Sequence, residues 1–213
     1  MTRVYISENA FDETKEYIRS KGYEIVTVSK QADVQDAVAA HPDIYMCRLK
    51  AGSSSGIYFG DPKQLSYDYP GDVLYNAACV GRYIICSKHT SEELIRASGL
   101  KPIYVCQGYC KCNLVVVDES HVITEDEGIA KTLSAYPDIS CLLVEPHQVM
   151  LKGFPYGFIG GASGRVGDEI IFNGNIKAHS DYESIKEFIK SCGLKLVSFD
   201  NQPLTDIGSI IAE

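Results

Sequence analysis

Residues 160–199, GGASGRVGDEIIFNGNIKAHSDYESIKEFIKSCGLKLVSF, decide how the chain folds. The opening glycines let main chain approach main chain closely, because a missing Cβ removes the clash and permits left-handed dihedrals. A β-hairpin follows, then a polar trio, His179-Ser180-Asp181, at the start of an amphipathic helix, then a closing apolar run. The order is strand, strand, helix, strand. Searching outward for self-similarity finds it twice more, in residues 75–106 and 112–145, which nearly match each other in length and have a shorter hairpin than 160–199. In all three segments the second strand runs into a polar residue suited to capping the helix: Thr90, Thr124 and Ser180. Such a cap is worth about 1 kcal/mol.

The remaining chain supplies reduced copies. Residues 3–6 read as a strand, residues from Asp12 to Gly22 as a helix with a glycine C-cap, and Tyr23 to Val28 as a strand. They make a fourth unit if the C-terminal DIGSIIAE, residues 206–213, provides the missing first strand. A helix over 32–40 stopped by Pro42, with a strand over 43–49, would be a fifth. Five ββαβ-like units closed by pairing of the termini imply a ring within one α/β domain, residues 1–213, its first strands lining a central channel. Residues at the starts of those strands then collect in one place: Asn76, Asn113, Gly160 to Gly164, and Asp206 to Ser209. Residues 50–71, rich in Gly, Ser, Tyr and Pro, read as a lid or pocket wall, or as a plain mobile loop.

Composition narrows the function. A net charge of −8 argues against nucleic acid, whose phosphates select basic surfaces, and suits a small-molecule ligand that is cationic. No apolar run approaches the roughly 18 residues of a membrane span, so no membrane partner is expected. The N-terminus lacks a basic start followed by an apolar run, so the eight cysteines are expected to be reduced thiols of a cytoplasmic protein. A chain of 213 residues buries roughly 70% of its unfolded surface, so its core needs no disulfides. Cys106, Cys110 and Cys112, spaced C-x3-C-x-C, match no zinc ribbon, and no metal is expected. GGASG lacks the G-x-G-x-x-G spacing, and no dinucleotide or other cofactor is expected.

Several residues could do chemistry, each beside a plainer reading. Cys112, next to Lys111, is a candidate nucleophile or a small buried residue. On a strand, Cys110 would share its face and could form a redox pair with it. His179 is a candidate acid/base or a residue packed over a helix start, and Asp181 a substrate carboxylate or a first-turn acid favoured by the helix dipole. Asp206 stands in an apolar run, PLTDIGSII, where an unpaired carboxylate would cost several kcal/mol. Its partner could be a ligand, Arg48 or backbone amides. Gly160, Gly161 and Ser163 could bring backbone amides to a ligand. His41, His89, His121 and His147 fall at turns, where exposure would explain them.

With these residues in view, the layout resembles the pentein, or α/β-propeller, fold of the guanidino-group-modifying enzymes: arginine deiminase, dimethylarginine dimethylaminohydrolase, the amidinotransferases and agmatine deiminase. KGYEIVTV followed by HPDIYMCRL resembles their helix, strand and Pro-Asp-x-x-Phe-x-(Glu/Arg)-Asp segment. Closer still is the likeness to an uncharacterised bacterial family of the same fold, carried by HPDIYMCRL, GYCKCN, VITEDEGIAKTL, GFIGGASG, AHSDYESI and PLTDIGSI. The enzymes use a cysteine thiolate, a histidine in His-x-Asp or His-x-Glu, and carboxylates that hold a cationic group. His179-Ser180-Asp181 fits the second. Their nucleophile lies near the C-terminus, where this chain has DIGSIIAE and no cysteine, and their Pro-Asp strand ends in an acid where this chain has Leu49. The resemblance implies a small-molecule-binding domain. It would be an amidinotransferase-like or amidine-hydrolase-like enzyme acting on a guanidino or amidino compound in the channel, with Cys112, His179 and Asp206 as catalytic residues and Asn76, Asn113, Gly160, Gly161, Ser163, Asp181 and Arg48 around the ligand. Alternatively it is a non-catalytic module binding a metabolite or protein, as the ribosomal anti-association factor of archaea and eukaryotes is a non-enzymatic pentein.

Overall fold

Pro42 has a fixed φ suited to a first helical turn and no amide that needs a partner there, so it begins a helix in this chain rather than ending one. The computed structural model describes residues 2–49 and 56–213. Within them, β1 (Arg3–Ser7), α1 (Asp12–Ser20) and β2 (Glu24–Val28) form a crossover with parallel strands. Next come α2 (Pro42–Tyr45) and β3 (Met46–Arg48), which pairs antiparallel with β4 (Ile57–Phe59).

The three repeats then follow in full. The first is β5 (Ala78–Val80), β6 (Tyr83–Ser87), α3 (Glu92–Ser98) and β7 (Lys101–Val105). A short turn, α4 (Cys110–Asn113), leads into β8 (Leu114–Val116), β9 (His121–Thr124), α5 (Glu127–Leu133) and β10 (Ser140–Leu143). The last is β11 (Ser163–Val166), β12 (Glu169–Phe172), α6 (Tyr182–Ser191) and β13 (Lys195–Val197). In each, the first two strands are an antiparallel hairpin and the third returns parallel through the helix. Gly81 (φ 53°) and Gly167 (φ 62°) make two of the hairpin turns in left-handed conformations. Asp118 makes the third, accepting from the amides of Ser120 (2.7 Å) and His121 (2.8 Å).

The final strand, β14 (Ile211–Ala212), pairs antiparallel with β1, Val4 opposite Ala212 and Tyr5 opposite Ile211. The expected pairing of the two terminal segments is therefore present, tightened by a 2.5 Å Arg3–Glu213 ion pair. Five small sheets result among the described residues. Each of the four longer units seats one helix by fully buried aliphatics, namely Ile18, Leu94, Ile129 with Leu133, and Ile185 with Ile189. Each such side chain contributes about 1.5–3 kcal/mol of apolar burial. The first strands pack side by side, β3 against β5, β5 against β8, β8 against β11, β11 against β14, and β14 against β3. All five line one cavity of about 40 Å³.

Several local expectations change. Residues 32–40 form bends and turns rather than a helix, and only Met46–Arg48 of the 43–49 run is strand. The Tyr45 hydroxyl accepts from the Gln31 amide (3.2 Å) and donates to the Ala39 carbonyl (2.6 Å), drawing the two ends of the segment closer together than a helix rising about 1.5 Å per residue allows. His41, preceding a proline, is extended (ψ 120°), as the proline ring requires. The caps fall one or two residues later than expected. Ser91 and Asp126 cap α3 and α5, while Thr90 and Thr124 accept from the amides of Ser87 and Asp126 in the approach to those helices. Ser180 does not cap α6: its hydroxyl accepts from the Gln148 amide. Of the 50–71 segment, residues 50–55 lie outside the described residues; the rest contains β4 and a 3₁₀ turn at Pro62–Gln64.

Candidate active site

Two short helical turns aim a carboxylate and a thiol at each other. Asp43 follows Pro42 in α2, and its amide donates to the Gly208 carbonyl at 3.1 Å, fastening the turn to the C-terminal segment. Cys112 lies in α4, where the Asn76 side-chain oxygen accepts from the amides of Lys111 (2.7 Å) and Cys112 (3.3 Å). These are orphan donors of a first turn, so Asn76 does the work of a cap from a distant repeat. The Asn76 amide also donates to Cys112 Sγ at 3.3 Å, and the thiol donates to Asp43 Oδ2 at 3.1 Å. Asn76 and Asp43 are fully buried, and Cys112 is 2% exposed.

Ser209 closes the cluster from β14's approach. Its φ of 73° is left-handed, which costs a non-glycine residue of order 1–3 kcal/mol and persists where surrounding bonds hold it. Here its amide donates to the Gly161 carbonyl (2.7 Å) and its hydroxyl to Asp43 Oδ2 (2.7 Å), while Lys111 Nζ donates to that hydroxyl (3.0 Å). Lys111 Nζ also donates to the carbonyls of Leu114 (3.2 Å) and Gly160 (3.4 Å).

Asp206 and His41 flank the thiol. Asp206 accepts from the amides of Phe158 and Gly208, both at 2.9 Å, and lies 3.8 Å from His41 Nδ1, beyond hydrogen-bond length. Burial dominates both groups: it pushes the His41 imidazole down to about 4, against attraction to Asp43, and the Asp206 carboxyl up to about 6. Burial also raises Asp43, and it raises the Cys112 thiol well above its ordinary value, with the Asp43 charge adding to the effect. Lys111 is pushed down by burial. His41 Nδ1 and Asp43 Oδ1 are buried with no hydrogen-bond partner among the described residues. Ligand atoms of His41, Asp43 and Cys112 lie within 4.8 Å of one another, so these three side chains could share a cation. Asp118, His121 and Cys192 form a second such group.

A cavity of about 220 Å³ stands over this cluster, with Cys112, His41 and Asp206 in its floor and Tyr109, Tyr156 and Phe158 in its walls. Tyr109 is 6.3 Å from Phe158, and Phe158 is 6.1 Å from Tyr156, between ring centroids. The Tyr109 hydroxyl is fixed by Asp72. Aromatic faces beside buried carboxylates favour a cation.

The expected site residues divide into groups. Asn76, Cys112 and Asp206 come together. Gly160 and Gly161 wedge between them: a Cβ on Gly160 would stand 2.5 Å from the Leu114 amide nitrogen, and one on Gly161 2.1 Å from Asp206 Oδ1. The amides of Gly161 and Ser163 are engaged by the carbonyls of Cys112 and Gly160. Asn113 is buried beside Cys112 but donates to the Tyr109 carbonyl. Arg48 lines the small cavity between the first strands. His179 and Asp181 are not brought to Cys112. His179 lines a different cavity with Gln148 and Leu204 and accepts from the Asp181 amide, while Asp181 accepts from the Glu145 amide. Cys110 and Cys112, on a helical turn instead of a strand, face apart; the Cys110 thiol donates to the Gln107 carbonyl, and both thiols are free. His41, expected at an exposed turn, is 2% exposed. His41, Asp43 and Ser209 were not among the expected site residues, although the Pro-Asp segment HPDIYMCRL and the strand start Asp206 to Ser209 were the available signals.

This is a pentein-fold α/β protein with a buried thiol, carboxylate and imidazole at one cavity floor. The fold matches an agmatine deiminase from C. jejuni at TM-score 0.51 and 8% identity, over 93% of this chain and 87% of that one. An amidinotransferase of the saxitoxin biosynthetic pathway from Microseira wollei aligns at TM-score 0.38 and 14% identity, over 89% of this chain and 55% of that one, too weakly to add to the fold. No curated protein matches the sequence. The chain belongs to a family described as a family of unknown function (DUF6873), whose model matches residues 53–211.

Proposed function

We propose that the five units close into a propeller and that the cavity over Cys112 receives a small guanidino or amidino cation, which Cys112 attacks. The observation that supports this best is the bonding of the Cys112 thiol between Asp43 and Asn76, with His41 alongside and Asp206 at the same cavity. An arriving amidinium supplies the charge that Asp43 and Asp206 lack, and its field lowers the thiol pKa that burial had raised. The thiol proton passes to His41, sulfur bonds to the amidinium carbon, and the amine departs with the proton from His41. Water or a second amine then displaces sulfur, regenerating the thiol and giving the hydrolase or the transferase outcome.

A second reading, a non-catalytic pentein that binds a metabolite or protein, is favoured by Ser209 in the C-terminal segment and by the raised thiol pKa. Mass spectrometry after exposure to 2-chloroacetamidine at neutral pH separates the two. Catalysis predicts modification of Cys112 at least tenfold faster than of the exposed Cys106, and loss of that preference in His41→Gln. Modification led by Cys106, with Cys112 inert, would sink the nucleophile and leave the binding module. A saturable rise in melting temperature with agmatine or arginine would then test the binding module directly.

A further inference from the structure

The cavity of about 40 Å³ between the first strands has a different chemistry from the cavity over Cys112. Three cationic side chains line it, Arg48 from β3, Lys111 from α4 and Arg165 from β11, and no carboxylate among the described residues does. Among the described residues neither arginine forms an ion pair. Arg48 Nε is buried with no hydrogen-bond partner among the described residues, and Arg48 Nη1 reaches the Arg165 carbonyl at 3.5 Å. Arg165 donates from Nε to the Gly167 carbonyl (3.1 Å) and from Nη1 to the Val117 carbonyl (3.0 Å), which fixes its fork but leaves its charge uncompensated. The Lys111 donors are engaged by Leu114, Gly160 and Ser209, so it contributes field instead of a bond.

Two half-buried guanidiniums facing one cavity in a chain of net charge −8 are unfavourable unless something anionic joins them. A water occupies about 10–15 Å³ of such space, so the cavity takes a group of a few heavy atoms. Guanidinium forks match planar or tetrahedral oxyanions in a bidentate manner. We propose that this cavity is a binding site for a small oxyanion, a carboxylate or phosphate group, held by Arg48 and Arg165 with Lys111 supplying charge from the side of Cys112. It does not rest on any chemistry at the thiol. A free inorganic ion and the acidic end of a larger metabolite share this recognition.

The test is isothermal titration of the full chain with inorganic phosphate and, separately, acetate, at constant ionic strength. Saturable binding of at least one of them is expected, weakened at least tenfold in Arg48→Gln and in Arg165→Gln and retained in Cys112→Ser. Tighter phosphate than acetate assigns a phosphate site, and the reverse a carboxylate site. Arg48→Lys, which keeps the charge without the fork and is checked for folding by circular dichroism, should bind more weakly than the native chain. The proposal is overturned if neither anion binds saturably to the native chain, or if binding is unchanged in folded Arg48→Lys and Arg165→Gln.

Discussion

His41→Gln is expected to tilt the dependence of stability on pH by about 3 kcal/mol between pH 6.5 and pH 4. In the unfolded chain His41 takes a proton near 6.5; in the folded protein burial holds it off until about 4. Between those values the unfolded state binds more protons, so native stability rises with pH and falls on acidification. Asp206 works in the opposite direction. Its folded value of about 6 lies above the ordinary 3.8, so the folded state holds more protons in that window, and stability falls as pH rises through it. Asp43, raised in the same direction, adds to Asp206. The native protein therefore carries opposing slopes in one cluster. Removing the imidazole leaves only the acids there, and the variant should gain on the native chain steadily as pH drops. Chemical denaturation at several pH values measures this, and a stability difference independent of pH would show that His41 is not buried neutral.

Gly164→Ala is expected to cost about 3 kcal/mol or more, at the upper end of overpacking effects. A Cβ at Gly164 would stand 1.9 Å from the Ile210 carbonyl oxygen and 2.7 Å from its carbon, both main chain. Side chains can rotate away from an added methyl, but these strands cannot part without losing the Ile210 amide bond to the Ser163 carbonyl (3.0 Å) and the Ser209 amide bond to the Gly161 carbonyl (2.7 Å). Those bonds carry the C-terminal segment past the site, so Ser209 and Asp43 should be disturbed together. Gly56→Ala is the control: among the described residues nothing lies within 4 Å of a Cβ there. Urea unfolding that finds the two substitutions within 1 kcal/mol of each other would contradict the close approach.

The repeated units were legible because their signals are local. Alternating apolar residues, a helix-period run and a tight polar or glycine turn recur in 75–106, 112–145 and 160–199, and β5–β7, β8–β10 and β11–β13 stand where that pattern puts them. The pairing of residues 211–212 with β1 was legible as well, since the first unit lacked a strand and the last segment had one to spare. Residues 32–40 misled because an Ala- and Val-rich run favours a helix locally. The Tyr45 hydroxyl bonds the Gln31 amide and the Ala39 carbonyl together, folding the run back on itself, and Pro42 forces His41 to extend. Propensity is a weak prior against such tertiary bonds.

The cluster itself was only half legible. Cys112, Asn76 and Asp206 stood out by residue type and by position at the starts of repeats. His41 read as an exposed turn residue, yet it is buried under Gly208, where a Cβ would meet the His41 Cβ at 2.1 Å, from the far end of the chain. His179 read as the site histidine through its motif, but the structure gives it a cavity of its own.

By itself the sequence determined the unit, its three full copies and the joining of the termini, because hydrophobic period, turn chemistry and strand length are properties of neighbouring residues. Only the tertiary structure decided which side chains meet. Asp43, Asn76, Cys112 and Ser209 come from different units, and their bonds span 36 to 166 residues. No local period records contacts at that separation; the packing of the first strands creates them.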